Sequence, residues 1–231
     1  MRLDKYLAHA TGFSRKEVKR VLLKKKITVN GLMIKDSAFQ VGDADAVTFE
    51  QQDVSAPKLR YYMLNKPQGY VCSNDDPTNP TIAGLLSDEI RASELNIAGR
   101  LDLDTTGLLL ITTDGKWLHK VTSPNHKQGK RYLVETAEPI DPSAIEKFSK
   151  GIELKGEKRL TKPATLEILE THMAYLTLNE GKYHQVKRMF GAIGNKVTEL
   201  HRDRVGDIFL DNSLSIGEYR ELTTSEIDSI H

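Results

Sequence analysis

The polar stretch QQDVSAPK, residues 51–58, constrains the fold most, because the sequence follows a different periodicity on each side of it. Before it, Leu3, Tyr6, Leu7 and Ala10 fall at i, i+3, i+4 and i+7, the spacing of an amphipathic helix that Gly12 stops. Ser14, with Glu17 three residues later, predicts a capping box opening a second helix whose apolar stripe is Val18, Val21 and Leu22. Ile27-Thr28-Val29 and Leu32-Met33-Ile34 then flank Asn30-Gly31, the strongest short hairpin signal. After the polar stretch come short apolar runs rich in Thr, Val, Ile and Tyr, which predict strands at Tyr61–Leu64, Leu108–Thr112, Tyr132–Thr136, Ala164–Ile168 and Ala174–Leu178. Helical stretches intervene near Pro80–Leu86, Lys116–Val121, Ser143–Lys150, His184–Ala192 and Ser225–Ile230. The expected architecture is α+β: a small module at 1–54, a linker at 55–60, and a larger domain at 61–231 with a mixed, mainly antiparallel sheet flanked by helices.

Charge sorts with this division. Residues 1–50 carry ten Lys/Arg against six Asp/Glu, and residues 14–35 hold eight bases and one acid. Such a concentrated basic face is the footprint of a polyanion binder, here RNA or DNA. Arg15, Lys16, Lys19 and Arg20 lie on the second helix, and Lys24, Lys25 and Lys26 follow at its end. Apolar residues make up 39% and charged residues 28% of 231, a globular composition long enough to bury a core without disulfides. A single cysteine, Cys72, suits a reducing cytosol. The first residues carry no apolar leader, and the longest aliphatic run, Leu108 to Ile111, is far too short to span a bilayer. These features predict a cytoplasmic chain away from membranes. No CxxC, HExxH or EF-hand spacing is present, so no metal site is expected.

The stretch Gly99-Arg100-Leu101-Asp102-Leu103-Asp104-Thr105-Thr106-Gly107 leads into the apolar run Leu108–Thr112. A loop held at a strand end aims a carboxylate into a cleft. Two acids two residues apart leave three chemistries open: a bound metal, an acid–base pair, or a single nucleophile.

Taken whole, this stretch resembles the signature of RNA pseudouridine synthases. Leu64-Asn65-Lys66-Pro67-Gln68-Gly69-Tyr70, Lys130-Arg131-Tyr132 and Glu180-Gly181-Lys182-Tyr183-His184-Gln185-Val186-Lys187-Arg188-Met189 resemble three further motifs of that family, in the same order. The segment RLDKYLAHATGFSRKEVKRVLLKKKITVNGLMI resembles the αL-type RNA-binding module shared by a ribosomal protein, tyrosyl-tRNA synthetases and several RNA-modifying enzymes. Nearly the whole chain is covered, and the fit is to the RsuA family. The resemblance implies isomerisation of uridine 516 in small-subunit 16S ribosomal RNA, without a cofactor, by a monomer acting on an assembling subunit. It implies Asp102 as the catalytic aspartate, Tyr132 as the platform for the target base, and Lys187 as the cation facing Asp102, where most relatives carry arginine. Arg100 would fill the gap left by the flipped uridine and Arg188 would contact phosphate. Leu200 and Met189 would wall the uracil pocket, while Lys66, Pro67 and Gly69 would shape the cleft. Three other readings remain: a large-subunit ribosomal RNA pseudouridine synthase, a noncatalytic RNA-binding assembly factor, and a metal-dependent nuclease using Asp102 and Asp104.

Overall fold

The computed structural model describes residues 1–24, 26–42, 44–55, 58–86, 95–123 and 128–231, which fall into two compact units, Met1–Leu59 and Arg60–His231. The expected linker at 55–60 includes Ala56 and Pro57, which lie outside the described residues.

The first unit opens with helix α1 (Leu3–Thr11), ended by Gly12 at φ 81° with its N–H on the Ala8 carbonyl. Helix α2 (Arg15–Leu23) starts at the Ser14–Glu17 capping box. Strands β1 (Ile27–Val29) and β2 (Leu32–Met33) pair antiparallel across Asn30 and Gly31. Both turn residues have positive φ, 51° and 77°, as a type I′ turn requires. Two strands without a sequence signal, β3 (Val47–Phe49) and β4 (Gln52–Asp53), extend the sheet to the order β2-β1-β3-β4. The polar stretch 51–58 therefore begins as an edge strand. Leu3, Leu7, Val18, Leu22, Ile27 and Val47 are buried together, so the apolar stripes of both helices face the small sheet. Lys16, Lys19, Arg20 and Lys24 are exposed, as a polyanion-binding face needs. Lys26 instead pairs with Glu50. Lys25 and the Arg15 side chain, both expected RNA contacts, lie outside the described residues.

The second unit is built on strands β5 (Tyr61–Lys66), β6 (Asn96–Ala98), β7 (Thr106–Thr112), β8 (Lys130–Thr136), β9 (Thr165–Glu170), β10 (Met173–Leu178), β11 (Val197–Val205), β12 (Ile208–Phe209) and β13 (Tyr219–Glu221). Its helices are α3 (Ile82–Leu85), α4 (Gly115–Thr122), α5 (Ser143–Lys150), α6 (Gln185–Ala192) and α7 (Thr224–Asp228). The sheet order is β13-β5-β7-β11-β8-β10-β9, with β6 added on β7 and β12 on β11. Every pairing is antiparallel except β7 with β11, which makes the sheet mixed and mainly antiparallel. Strand β7 is buried on both faces: Leu108 and Leu110 join Met63, Trp117 and Val205, while Leu109 and Ile111 join Tyr62, Leu64 and Leu101. Its unbroken apolar run follows from that double burial.

The parallel seam between β7 and β11 pairs Thr106 with His201 and Gly107 with Arg202. Gly107 has φ 99°, and a Cβ there would lie 2.3 Å from the Arg202 carbonyl oxygen. Gly107→Ala combines a disfavoured backbone with a backbone clash, so it should destabilise the unit by ~2 kcal/mol or more. Thermal melting of the variant checks this; an unchanged melting temperature would show that the seam gives way freely.

Candidate active site

The loop before β7 is held from beneath by a buried ammonium. Lys66, fully inaccessible at the end of β5, donates from Nζ to the carbonyls of Pro67 (3.0 Å), Thr105 (2.8 Å) and Leu103 (3.4 Å). The Gly69 N–H donates to the Leu103 carbonyl at 2.8 Å, the Thr105 N–H to the Asp102 carbonyl at 3.2 Å, and the Leu101 N–H to Cys72 Sγ at 3.3 Å. Burial pushes the Lys66 ammonium below the usual lysine range, against the attraction of Asp104 and Asp102. Each contact fixes backbone on either side of Asp102 and leaves its side chain to face the cleft.

Two elements meet that side chain. Helix α6 brings the Lys187 Nζ to 3.6 Å from Asp102 Oδ2 and to 2.5 Å from Asp104 Oδ1. The N-cap residue of α6, His184, brings its Nε2 to 3.5 Å from Asp102 Oδ1. His184 has φ 47° and ψ 38°, a left-handed conformation that costs a non-glycine residue on the order of 1 kcal/mol. Its neighbours hold it there. Gln185 Oε1 accepts from the Lys182 N–H at 2.8 Å, Gln185 Nε2 donates to Glu180 at 2.8 Å, and the Tyr183 ring stacks on the imidazole at 3.8 Å. Burial pushes the Asp104 carboxyl up, but the hydrogen bond and charge of Lys187 outweigh it and hold the group below the usual range. One ammonium thus serves two carboxylates and sits closer to Asp104.

Asp102 opens onto a cavity of about 710 Å³ lined also by Arg100, Tyr132, His184, Leu200 and Arg202. Tyr132 lies on β8 opposite Arg202 on β11, whose guanidinium is 6.0 Å from the ring centroid. Arg202 is 1% exposed and is satisfied by carbonyls: Nε donates to Leu108 at 2.9 Å and Nη2 to Gly99 at 3.1 Å. Arg100 is exposed at the rim.

Two expected placements differ. Met189 does not line the cavity; it is fully buried in the core with Phe148, Phe190 and Val134. It sits on the inner stripe of α6, one turn beyond Gln185, whose Nε2 approaches its sulfur at 3.8 Å. Arg188, expected to contact phosphate, is instead engaged within the protein. Its guanidinium donates to Glu157 at 3.1 Å and to the carbonyls of Tyr183 (3.0 Å) and Lys155 (2.7 Å), and so ties the loop at 155–157 to the start of α6.

Sequence reasoning passed over His184, Lys130 and Arg202. His184 lies inside one of the family motifs, and its place between Tyr183 and Gln185 was a usable signal. Lys130 stands two residues before Tyr132 and therefore shares its strand face. Arg202 had none, because VTELHRDRV reads as a polar segment although it forms a central strand. Among the described residues no cluster of three or more His, Cys, Asp or Glu side chains could hold a metal ion, and no helix is long and apolar enough to cross a membrane.

Comparison with known proteins places both units in known families. A family model described as RNA pseudouridylate synthase matches residues 60–192, and an S4 domain model matches residues 1–47. A Yersinia pestis protein named ribosomal small subunit pseudouridine synthase A is 51% identical over all of this chain and 98% of its own length. The protein of the same name from Escherichia coli K12 is 49% identical over the full length of both. A solved structure titled as a crystal structure of pseudouridylate synthase matches with a TM-score of 0.74 at 47% identity, covering both chains completely.

Proposed function

The chain belongs to the RNA pseudouridylate synthase family, and we propose that it isomerises uridine 516 of small-subunit 16S ribosomal RNA, with Asp102 attacking or stabilising the ribose carbon. The observation that carries this reading is the Asp102 carboxylate held between His184 and Lys187 at the mouth of a cavity walled by Tyr132 and Leu200. Full-length relatives named for the small ribosomal subunit support the substrate.

Pseudouridine formation breaks the bond between ribose C1′ and uracil N1 and forms one between C1′ and C5. The C5 proton leaves and N1 gains one, so the product is an isomer and no redox partner or imported group is needed. The sugar carbon is electron-poor as its bond to nitrogen breaks, and a fixed carboxylate is a suitable partner for it. The flat face of Tyr132 suits a base taken out of its stack, and Arg100 at the rim suits the gap that base leaves. The exposed bases of α2 supply sequence-independent grip on structured RNA in an assembling subunit, and the chain acts as a cytoplasmic monomer.

Mapping pseudouridines in ribosomal RNA from cells with and without this protein tests the reading. One small-subunit position should lose its modification; loss at a large-subunit position instead would overturn the substrate assignment. The grip of the module has its own test. Lys16→Glu, Lys19→Glu and Arg20→Glu together should weaken RNA binding and make its dependence on salt less steep, by about 0.7 for each phosphate no longer neutralised. An unchanged slope would show that this face points away from the RNA.

A further inference from the structure

The two ends of the cleft differ in character. At one end carboxylates and a cation meet around Asp102. Toward the other, Lys130 and Arg202 line the wall together, and among the described residues neither has a hydrogen bond or ion pair to a carboxylate. The Lys130 ammonium has one long hydrogen bond, to the Gln128 carbonyl at 3.3 Å. Its Cε would be 3.8 Å from a Cβ at Gly99, and Arg202 Nη1 would be 3.9 Å from the same point, so the two cations converge on one stretch of backbone. Lys130 and Tyr132 alternate with Arg131 along β8, and Arg131 instead pairs with Asp203 at 2.6 Å. Among the described residues the fold thus supplies an acid to the basic residue on one face of β8 and supplies none to the one that faces the cleft.

A half-buried cation beside a fully buried one is unfavourable for a fold, and a bound anion relieves the pair. We propose that Lys130, backed by Arg202, is an anion seat for the bound uridine nucleotide and takes a negatively charged oxygen of it. Two oxygens carry that charge. One is a carbonyl oxygen of the uracil ring, onto which the charge is delocalised when N1 keeps the electron pair of the breaking C1′–N1 bond. The other is a phosphodiester oxygen beside the target sugar. This inference rests on the uridine-isomerising reading of the same cleft.

Lys130 also carries a pH signature. Burial, and next the charge of Arg202, lower its ammonium to about 8. The other titratable or charged groups lining this part of the wall are Tyr132 on β8 and Cys72 and Arg100 on the loops; burial raises the Cys72 thiol, so it stays neutral here. A lysine lowered in this way is charged below about 8 and loses its proton as pH rises through that value, so the seat empties of charge on the alkaline side.

The test uses the full chain, a transcript of small-subunit ribosomal RNA containing the unmodified target uridine, and the variants Lys130→Met and Lys130→Arg. If the seat serves the base, Lys130→Met lowers the single-turnover rate at saturating enzyme by roughly tenfold or more with RNA affinity unchanged. If it serves a phosphate, affinity falls and the salt slope flattens by about 0.7. In both cases Lys130→Arg restores most of the loss and moves the alkaline limb upward, because arginine does not titrate there. The proposal is overturned if Lys130→Met matches the parent in rate, affinity and salt slope. It is equally overturned if both variants lose activity together with thermal stability, which is the mark of a packing role. A parent protein that forms no pseudouridine refutes the uridine-isomerising reading itself, and the affinity and salt slope of Lys130→Met then still judge the anion seat.

Discussion

Asp102→Asn is expected to lower the single-turnover rate by at least ~1,000-fold while RNA affinity stays within about threefold of the parent. The amide keeps the size and planarity of the carboxylate, so the turn closed by the Thr105 N–H on the Asp102 carbonyl, a backbone contact, persists. The substitution removes the negative charge and the nucleophilic oxygen pair, and it leaves His184 and Lys187 facing an uncharged group. The neighbouring acid supplies the control. Asp104 is more exposed than Asp102 and holds Lys187 at 2.5 Å, so Asp104→Asn frees that ammonium and should change the rate by roughly tenfold or less. A dead Asp104 variant beside an active Asp102 variant would reverse the two roles.

Most of the fold was legible because its elements follow the simple periods. The capping box at Ser14, the Asn30-Gly31 turn and the run Leu108–Ile111 each announce one element through chemistry within a few residues. Strand β11 was not legible. Its central position comes from its partners β7 and β8, and only Leu200, Arg202 and Val205 along it are buried. Arg202 is acceptable in the interior because the backbone of Gly99 and Leu108 accepts its hydrogen bonds, and nothing near it in sequence reports that.

The candidate site divides in the same way. Asp102, Tyr132 and Leu200 were named from motifs and line one cavity, and Lys187, named with them, approaches Asp102 from α6 at 3.6 Å. That Lys187 rather than Arg188 faces Asp102 came from the motif alignment and not from the residues themselves, since adjacent residues on a helix are separated by about 100° of rotation and only the packing of α6 decides which one faces the loop. Its inner face carries Val186, Met189 and Phe190 into the core. That placement aims Lys187 at the two aspartates, sends Arg188 to Glu157, and removes Met189 from the pocket wall.

Lys187→Met follows from that geometry. The methionine keeps much of the side-chain bulk and removes the charge that stands 3.6 Å from Asp102 and 2.5 Å from Asp104. Two carboxylates two residues apart then lose the cation nearest them and keep the buried Lys66 ammonium beneath their loop and His184 beside Asp102, which helps only when it is protonated. Asp104, now held low by the lysine, should rise, because the hydrogen bond and charge that outweighed its burial are gone. The sign is definite: a carboxylate lowered by a cation keeps its pairing above its folded pKa and loses it as pH falls, so removing the cation moves that loss to higher pH. The expected result is a fall of roughly 100-fold in single-turnover rate and an acidic limb of the pH–rate profile displaced upward. Lys187→Arg keeps the charge on a longer, planar group and should stay within about tenfold of the parent. Arg188→Met should leave the acidic limb where it is, since its guanidinium serves Glu157 and two carbonyls rather than the aspartates; it should instead loosen the loop at 155–157 and lower thermal stability. A Lys187→Met enzyme with the parent's rate and acidic limb would show that the ammonium serves only Asp104, and that His184 alone attends the carboxylate in the cleft.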